Sequence, residues 1–329
     1  MDENNLNLTA KALVASGKGI LAADESFPTI EKRFLTIGLG STEENRRAYR
    51  ELLFKTEGIE KFISGVIMFD ETIKDKTSDG VPFPEILTKK GIIPGIKVDE
   101  GMEEMAGYPG DKLTKGIDGL TDRLIEYKKL GAKFTKWRAA FTISVVNPSI
   151  QCVEENASRL AEFAYLSQQN GLVPIVEPEI LNDGNHTIDK CYEITRSVLR
   201  IVFLKLKEKN VDFKGMLLKP NMILPGKDSV KSTPTEISQK TIEVLKEIVP
   251  AEVPGIVFLS GGQTEDEATD NLREMNKIGG APWELSFSFG RALQNSALKT
   301  WNGKAENVKE AQLQFMNRAK MNSEARYGK

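Results

Sequence analysis

Histidine is nearly missing from this chain: 329 residues contain one, His186. Hydrolytic zinc centres draw on several imidazoles, and Ser–His or Cys–His nucleophile pairs need one beside the nucleophile. His186 lies in the polar run 182-NDGNHT-187, which reads as an exposed turn rather than a site. Cysteine is almost as scarce. Cys152 and Cys191 stand far apart without CxxC spacing, which excludes a disulfide framework or a zinc knuckle and leaves two thiols packed as small apolar groups. No apolar run approaches the ~18 residues of a membrane span. The start, MDENNLNLTAK, has neither a signal-peptide core nor Arg-rich transit character, so a cytoplasmic location is expected. The formal net charge of −2 gives the whole molecule no attraction for nucleic acid or an anionic membrane. Chemistry is left to Lys, Glu, Asp, Arg or Tyr, or to a cofactor.

What is present is a regular alternation. A hydrophobic content of 40% and a charged content of 28% suit a soluble globular protein. Short β-branched or apolar runs recur at 19-GILAAD-24, 63-ISGVIMF-69, 92-IIPGIKV-98, 132-AKFTKW-137, 172-LVPIVE-177, 216-MLLK-219, 255-GIVFLS-260 and 285-LSFSF-289. Between them lie helical patterns. The run 42–54 follows Ser41, with Glu44 completing a capping box; the run 150–170 ends at Gly171; the run 235–249 stops at Pro250. The run 264–276 opens with a second box, Thr264 with Glu267, and a last helix spans roughly 305–325. Eight such strands, apolar on both faces and separated by helices, predict a closed (β/α)8 barrel, a TIM barrel of the α/β class. An open doubly wound sheet competes, but it calls for a glycine-rich first turn, and here the first strand runs into 24-DESFPTIEKRF-34. No linker divides the chain, so residues 1–329 are read as one domain.

In such a barrel the functional groups come from the carboxyl ends of strands. These ends are charged: Asp24; Lys97 and Asp99; Lys136 and Arg138; Glu177 and Glu179; Lys219; then 260-SGG-262 and Gly290-Arg291. Charges are seldom buried unless paired or functional. Period-two alternation puts Phe134, Lys136 and Arg138 on one face of their strand and Lys133, Thr135 and Trp137 on the other. Two anion sites are expected. One joins the glycine pair after Ser260 to Arg291, and the other is the cationic run 31-EKR-33. Together they suit a ligand with a phosphate at each end. In 215-GMLLKPNM-222, Lys219 closes an apolar run. Desolvation there favours the neutral amine, and Lys136 as a nearby cation pushes the same way. A neutral amine adds to a ketone to give an imine, whose protonated form lets an adjacent carbon–carbon bond break. Glu177 and Glu179, one strand over, suit the acid–base steps.

These residues carry a resemblance. In 17-GKGILAADES-26, 42-TEENRRAYRELL-53, 136-KWR-138, 169-QNGLVPIVEPEIL-181, 217-LLKPNM-222, 259-LSGGQ-263 and 288-SFGRALQ-294, the chain resembles the class I fructose-1,6-bisphosphate aldolases over nearly its full length. The resemblance implies that Lys219 forms the Schiff base and that Glu177 is the general acid–base group, with Glu179 beside the lysine. It gives Asp24 the substrate C4 hydroxyl and Lys136 the imine centre. It also implies that Arg138 serves the distal phosphate region, that Ser260, Gly261 and Arg291 hold the other phosphate, with Ser26, Lys32 and Arg33 near it, and that Lys97 approaches the substrate. The implied reaction is metal-independent, reversible cleavage of fructose 1,6-bisphosphate to dihydroxyacetone phosphate and glyceraldehyde 3-phosphate in glycolysis and gluconeogenesis. Neither cofactor nor nucleic-acid or membrane partner is implied, only a sugar phosphate and a homotetrameric assembly.

Three departures accompany it. Glu100 in 97-KVDEG-101 stands where many relatives have lysine, which predicts altered affinity for bisphosphates. The segment 140-AFTISVVNPS-149 departs from the common pattern, so different packing is expected there. Many relatives also carry a longer tail ending in a tyrosine that assists proton transfer to the enamine. With 326-RYGK-329 here, that transfer is expected to use another group or to be slow. Two other readings compete: a non-catalytic sugar-phosphate-binding barrel, with no use for Lys219, Lys136, Glu177 and Asp24 together, and a pyridoxal-phosphate barrel, which visible absorbance would reveal.

Overall fold

In the computed structural model, which describes residues 3–329, eight parallel strands close on one another. They are β1 Gly19–Ala23, β2 Ile63–Met68, β3 Ile93–Lys97, β4 Phe134–Phe141, β5 Val173–Ile180, β6 Leu217–Leu218, β7 Gly255–Phe258 and β8 Glu284–Phe289. Each pairs with the next in chain order and β8 returns to β1, so the closed barrel holds and the open sheet does not. Period-two alternation sorts the strand residues as expected. Phe134 belongs to the apolar group inside the barrel, whereas Trp137 faces out and stacks on Phe163 of the Ile150–Gln169 helix at 5.6 Å. Thr135 also faces out, 2.9 Å from Ser167 Oγ. Inward positions are apolar low in the barrel: Ile20 and Ala22, Val173 and Ile175, Leu217. The next inward position on those three strands is Asp24, Glu177 and Lys219. A greasy floor thus carries a charged top layer.

Several strand ends differ from the sequence reading: β4 runs on to Phe141 and β7 stops at Phe258, while one proline pair accounts for the ends of β5 and β6. β5 runs through Pro178 to Ile180, so Glu177 lies inside the strand rather than at its end. The Val176 carbonyl accepts from Lys219 N at 2.8 Å, so residue 176, and by alternation residue 178, turns its peptide groups toward β6. There Pro220 ends the ladder, and the missing N–H of Pro178 leaves no rung unmade. The next donor on that side, Ile180 N, goes instead to the Asn221 side-chain oxygen at 2.8 Å. Lys219, just past β6, is therefore the last residue there tied to β5 by its backbone.

The capping box at Thr264 and Glu267 is present, and Gly171 takes φ 70° after the long helix. The box expected at Ser41 is not. Thr42 is the N-cap and accepts from Asn45 N, while Glu44 turns to Arg47 at 2.7 Å. Cys152 and Cys191 are buried free thiols. In the 140–149 segment, Phe141 and Ile143 are buried but Val145 and Val146 stand in solvent on a turn closed by Ser144 and Asn147. Several helices went unassigned, among them Phe27–Leu35, Leu120–Lys129, Ile188–Glu208 and Arg291–Trp301. No described helix is long and apolar enough to cross a membrane.

The Glu3–Leu13 helix was also unassigned, and it closes the barrel's N-terminal mouth. Leu6, Ala10 and Leu13, one helical face, join Val14 and the interior apolar group. Gly65 and Gly255 make room for this plug. A Cβ at Gly65 would lie 2.6 Å from Leu13 and one at Gly255 2.5 Å from Val14. Arg326 fastens the plug to the last helix, Val308–Ala325. Its buried guanidinium donates to the carbonyls of Val14, Ala15, Lys18 and Leu285 and pairs with Glu284. Arg326→Met strands those acceptors and is expected to cost about 2–4 kcal/mol in chemical denaturation. A loss under about 0.5 kcal/mol, the range of ordinary surface changes, would show that the plug holds without this clasp.

Candidate active site

The charged layer opens into a cavity of 1230 Å3 at the C-terminal mouth. All thirteen residues singled out from the sequence line it: Asp24, Ser26, Lys32, Arg33, Lys97, Lys136, Arg138, Glu177, Glu179, Lys219, Ser260, Gly261 and Arg291. At its centre four charges alternate in sign. Lys136 Nζ donates to Asp24 Oδ2 at 2.9 Å and lies 2.8 Å from Glu177 Oε2; Glu177 Oε1 lies 3.2 Å from Lys219 Nζ. Lys136, Glu177 and Lys219 are buried. Glu177 Oε2 accepts no hydrogen bond of good geometry despite its ion-pair distance, so a lone pair remains for a proton.

Burial by itself would lower the Lys136 pKa, but Asp24, Glu177 and Asp99 outweigh it and hold this ammonium well above the usual lysine range. Burial would likewise raise Asp24. Lys136 first, then Lys219 and Lys97, reverse this and hold its carboxyl well below the usual range. Lys136 is thus a fixed cation and Asp24 a fixed anion. The sequence reading had the two lysines acting directly on each other. Instead a carboxylate touches both and stands as the shared partner between them.

Glu179 is placed differently from that reading. It pairs with Arg138 rather than Lys219, and its Oε1 packs against Gly261, where a Cβ would come within 2.8 Å. Lys97 donates to the Asp99 carbonyl at 2.6 Å and pairs with its carboxylate at 2.6 Å, while Asp99 Oδ2 accepts from Arg138 N at 3.2 Å. Glu100 also lines the cavity, 3.8 Å from Arg123.

The anion cradle takes a different helix from the one expected. The Glu265–Ile278 helix has its capping box and three acids in its first turn, so its N-terminus is already satisfied. The Arg291–Trp301 helix has no side-chain cap and no acid in its first turn, and Arg291 makes no ion pair among the described residues. The loop amides of Gly261 and Gly262, without partners among the described residues, and the free N-terminus of this second helix are what an anion can engage. Arg33 lies beside it, since a Cβ at Gly290 would meet Arg33 Nη2 at 3.2 Å. The 31–33 run therefore adjoins the Arg291 site, as the family resemblance implies, although the residue pattern by itself kept the two apart. Ser26 Oγ lies 3.2 Å from Thr29 Oγ1, and Lys32 is exposed on the rim.

Glu25 and Gln294 line the cavity but were missed. Gln294 stands three residues after Arg291, on the same helix face, which was the available signal. His186 is a correction. It is half-buried, both ring nitrogens lack a hydrogen-bond partner of good geometry among the described residues, and burial lowers its pKa. It does not line the cavity.

Comparison with known proteins agrees with this geometry. A family model described as fructose-bisphosphate aldolase class-I matches residues 5–329. Fructose-bisphosphate aldolase 5, cytosolic, of Arabidopsis thaliana is 53% identical over 322 residues, covering 98% of this chain and 90% of that protein. A probable fructose-bisphosphate aldolase class 1 of Xanthomonas axonopodis pv. citri is 51% identical over 331 residues, covering 100% of this chain and 99% of that one. The solved structure of fructose-bisphosphate aldolase from Plasmodium falciparum, in complex with TRAP and a small molecule inhibitor, matches with a TM-score of 0.98 at 50% identity, over 99% of this chain and 95% of that one.

Lys136→Met leaves Asp24 and Glu177 without their common cation. Desolvation of Asp24 is then less opposed, and its pKa rises. The acid limb of the kcat/KM profile is expected to move up by about one unit or more, with kcat lower by about 100-fold. A slow variant whose acid limb stays in place would show that this lysine does not govern the site's charge.

Proposed function

The chain belongs to the class I fructose-bisphosphate aldolase family, and from that membership we propose a part for each residue of the cavity. The activity itself is that of the family: a metal-independent lyase acting on fructose 1,6-bisphosphate.

Lys219 passes a proton to Glu177, and its amine then adds to the C2 carbonyl of the sugar. The oxygen takes up that proton and a second one, given up by the amine nitrogen after addition and relayed by Glu177, and leaves as water, giving the iminium. The C3–C4 bonding pair moves toward the iminium nitrogen while the C4 hydroxyl loses its proton within the Asp24–Lys136–Glu177 array. Glyceraldehyde 3-phosphate departs and an enamine stays on Lys219. Protonation at C3 and hydrolysis release dihydroxyacetone phosphate. The observation that carries this reading is one carboxylate, Glu177, reaching both buried lysines, at 3.2 Å and 2.8 Å. It can move a proton at Lys219 while Lys136, kept charged, stabilises the developing negative oxygen.

Tyr327 takes no part. It lies at the N-terminal mouth, its hydroxyl 3.2 Å from Ser16 Oγ. For proton return to the enamine, Glu177 is the carboxylate that reaches the lysine, at 3.2 Å. Ser260, Gly261 and Arg291 hold one phosphate, with Arg33, Ser26 and Lys32 on the same side. Lys97 and Arg138 face the other. Residues 1–329 form one domain, because the Glu3–Leu13 and Val308–Ala325 helices both close on the same barrel. We infer a cytoplasmic homotetramer from the family's habit.

Borohydride added with dihydroxyacetone phosphate tests the central assignment. Mass mapping is expected to find the reduced adduct on Lys219, and Lys219→Met to lose both adduct and cleavage. An adduct on Lys136, or none on a competent enzyme, would overturn it and favour a barrel that only binds sugar phosphates.

A further inference from the structure

Behind the Arg33 side of the cavity lies a buried network that the reaction itself does not use. Glu25 follows β1 and is almost wholly buried. One of its oxygens pairs with Arg33 and accepts from Gln294 Nε2 at 3.1 Å; the other accepts from Arg50 at 2.5 Å. Gln294 also donates to the Ala22 carbonyl at 2.7 Å, which ties the Arg291–Trp301 helix to β1. Arg50 is buried and has no other anion. Its Nε and Nη1 have no hydrogen-bond partner among the described residues.

Two guanidiniums on one carboxylate leave a surplus positive charge beside the cavity. Without the carboxylate they would face each other inside the protein, and the one with access to solvent, Arg33, would turn away. Arg33 is held where its Nη2 adjoins Gly290, next to Arg291 and the free helix end. We propose that Glu25 is a positioning residue for phosphate affinity: through one oxygen it aims Arg33 at the anion site beside Gly290, and through the other it neutralises Arg50, which anchors it. This rests on the reading of Arg33 as a phosphate neighbour. Glu25 takes no part in proton transfer, so its effect falls on binding and spares the chemical step.

The test compares Arg33→Met, Glu25→Gln and the pair, with fructose 1,6-bisphosphate as substrate and inorganic phosphate as competitive inhibitor. Glu25→Gln is expected to raise KM and the phosphate inhibition constant by about 10-fold while kcat changes by less than about threefold. Added to Arg33→Met, it is expected to do nothing more, because it acts through that side chain. Glu25→Gln leaves Arg50 uncompensated, so Glu25→Gln with Arg50→Met serves as the folded alternative, with the same KM rise expected. If Arg33→Met raises KM but the folded Glu25 variants leave it unchanged or lower it, the positioning role is wrong and the phosphate reading stands. If Arg33→Met itself leaves KM and phosphate inhibition unchanged, the phosphate reading falls, and this inference with it.

Discussion

One carboxylate between two lysines organises the catalytic end of this molecule. Glu177 is buried and so are both cations it touches. Ions removed from water in this way are tolerated only when mutual attraction returns most of the lost hydration. The array meets that condition by alternating in sign, from Asp24 through Lys136 and Glu177 to Lys219. Neutralising any member, whether by protonating a carboxylate or by deprotonating a lysine, disturbs its neighbours, so a proton moved within the array is under electrostatic control.

The barrel supplies the rigidity this requires. β4 and β5 pair residue for residue from Phe134 with Val173 to Phe141 with Ile180, which fixes Lys136, Arg138, Glu177 and Glu179 as a block. β6 is held to that block by few backbone rungs, and the Asn221 amide substitutes for the next. Lys219 thus sits at the edge of regular pairing. Around this centre the loops after the strands differ in electrostatic character. The helix at Glu265 is saturated with its own acids and the helix at Arg291 is not, so an incoming anion is directed to one side.

Much of this was legible in the residues. Apolar runs closed by charges gave the barrel, and period-two alternation set Phe134, Lys136 and Arg138 on one face of their strand, without saying which face is the interior. What stayed hidden was pairing across the chain. Nothing local says that Glu179 will turn to Arg138, or that Glu25 will meet Gln294 from 269 residues away. The two arginine-containing anion patches looked separate because the barrel's closure, β8 against β1, is a global fact. Other misses were local. The plug helix carried its apolar face at Leu6, Ala10 and Leu13, but its polar start drew attention to targeting instead. Ile188–Glu208 has buried residues at helical spacing behind a Thr187 cap, a signal that was present and passed over. The fifth run, expected to end at Glu177, continues through Pro178, whose place in the strand depends on the early end of its neighbour at Pro220.

The stoppered floor of the barrel has a bearing on traffic. With Leu6, Leu13 and Val14 wedged among Phe134, Val173 and Leu217, solvent has no passage from below. The ketose, both trioses, the water shed in forming the imine and the water needed to hydrolyse it all share one doorway. Whatever occupies that doorway therefore stands in the path of any water bound for the cavity.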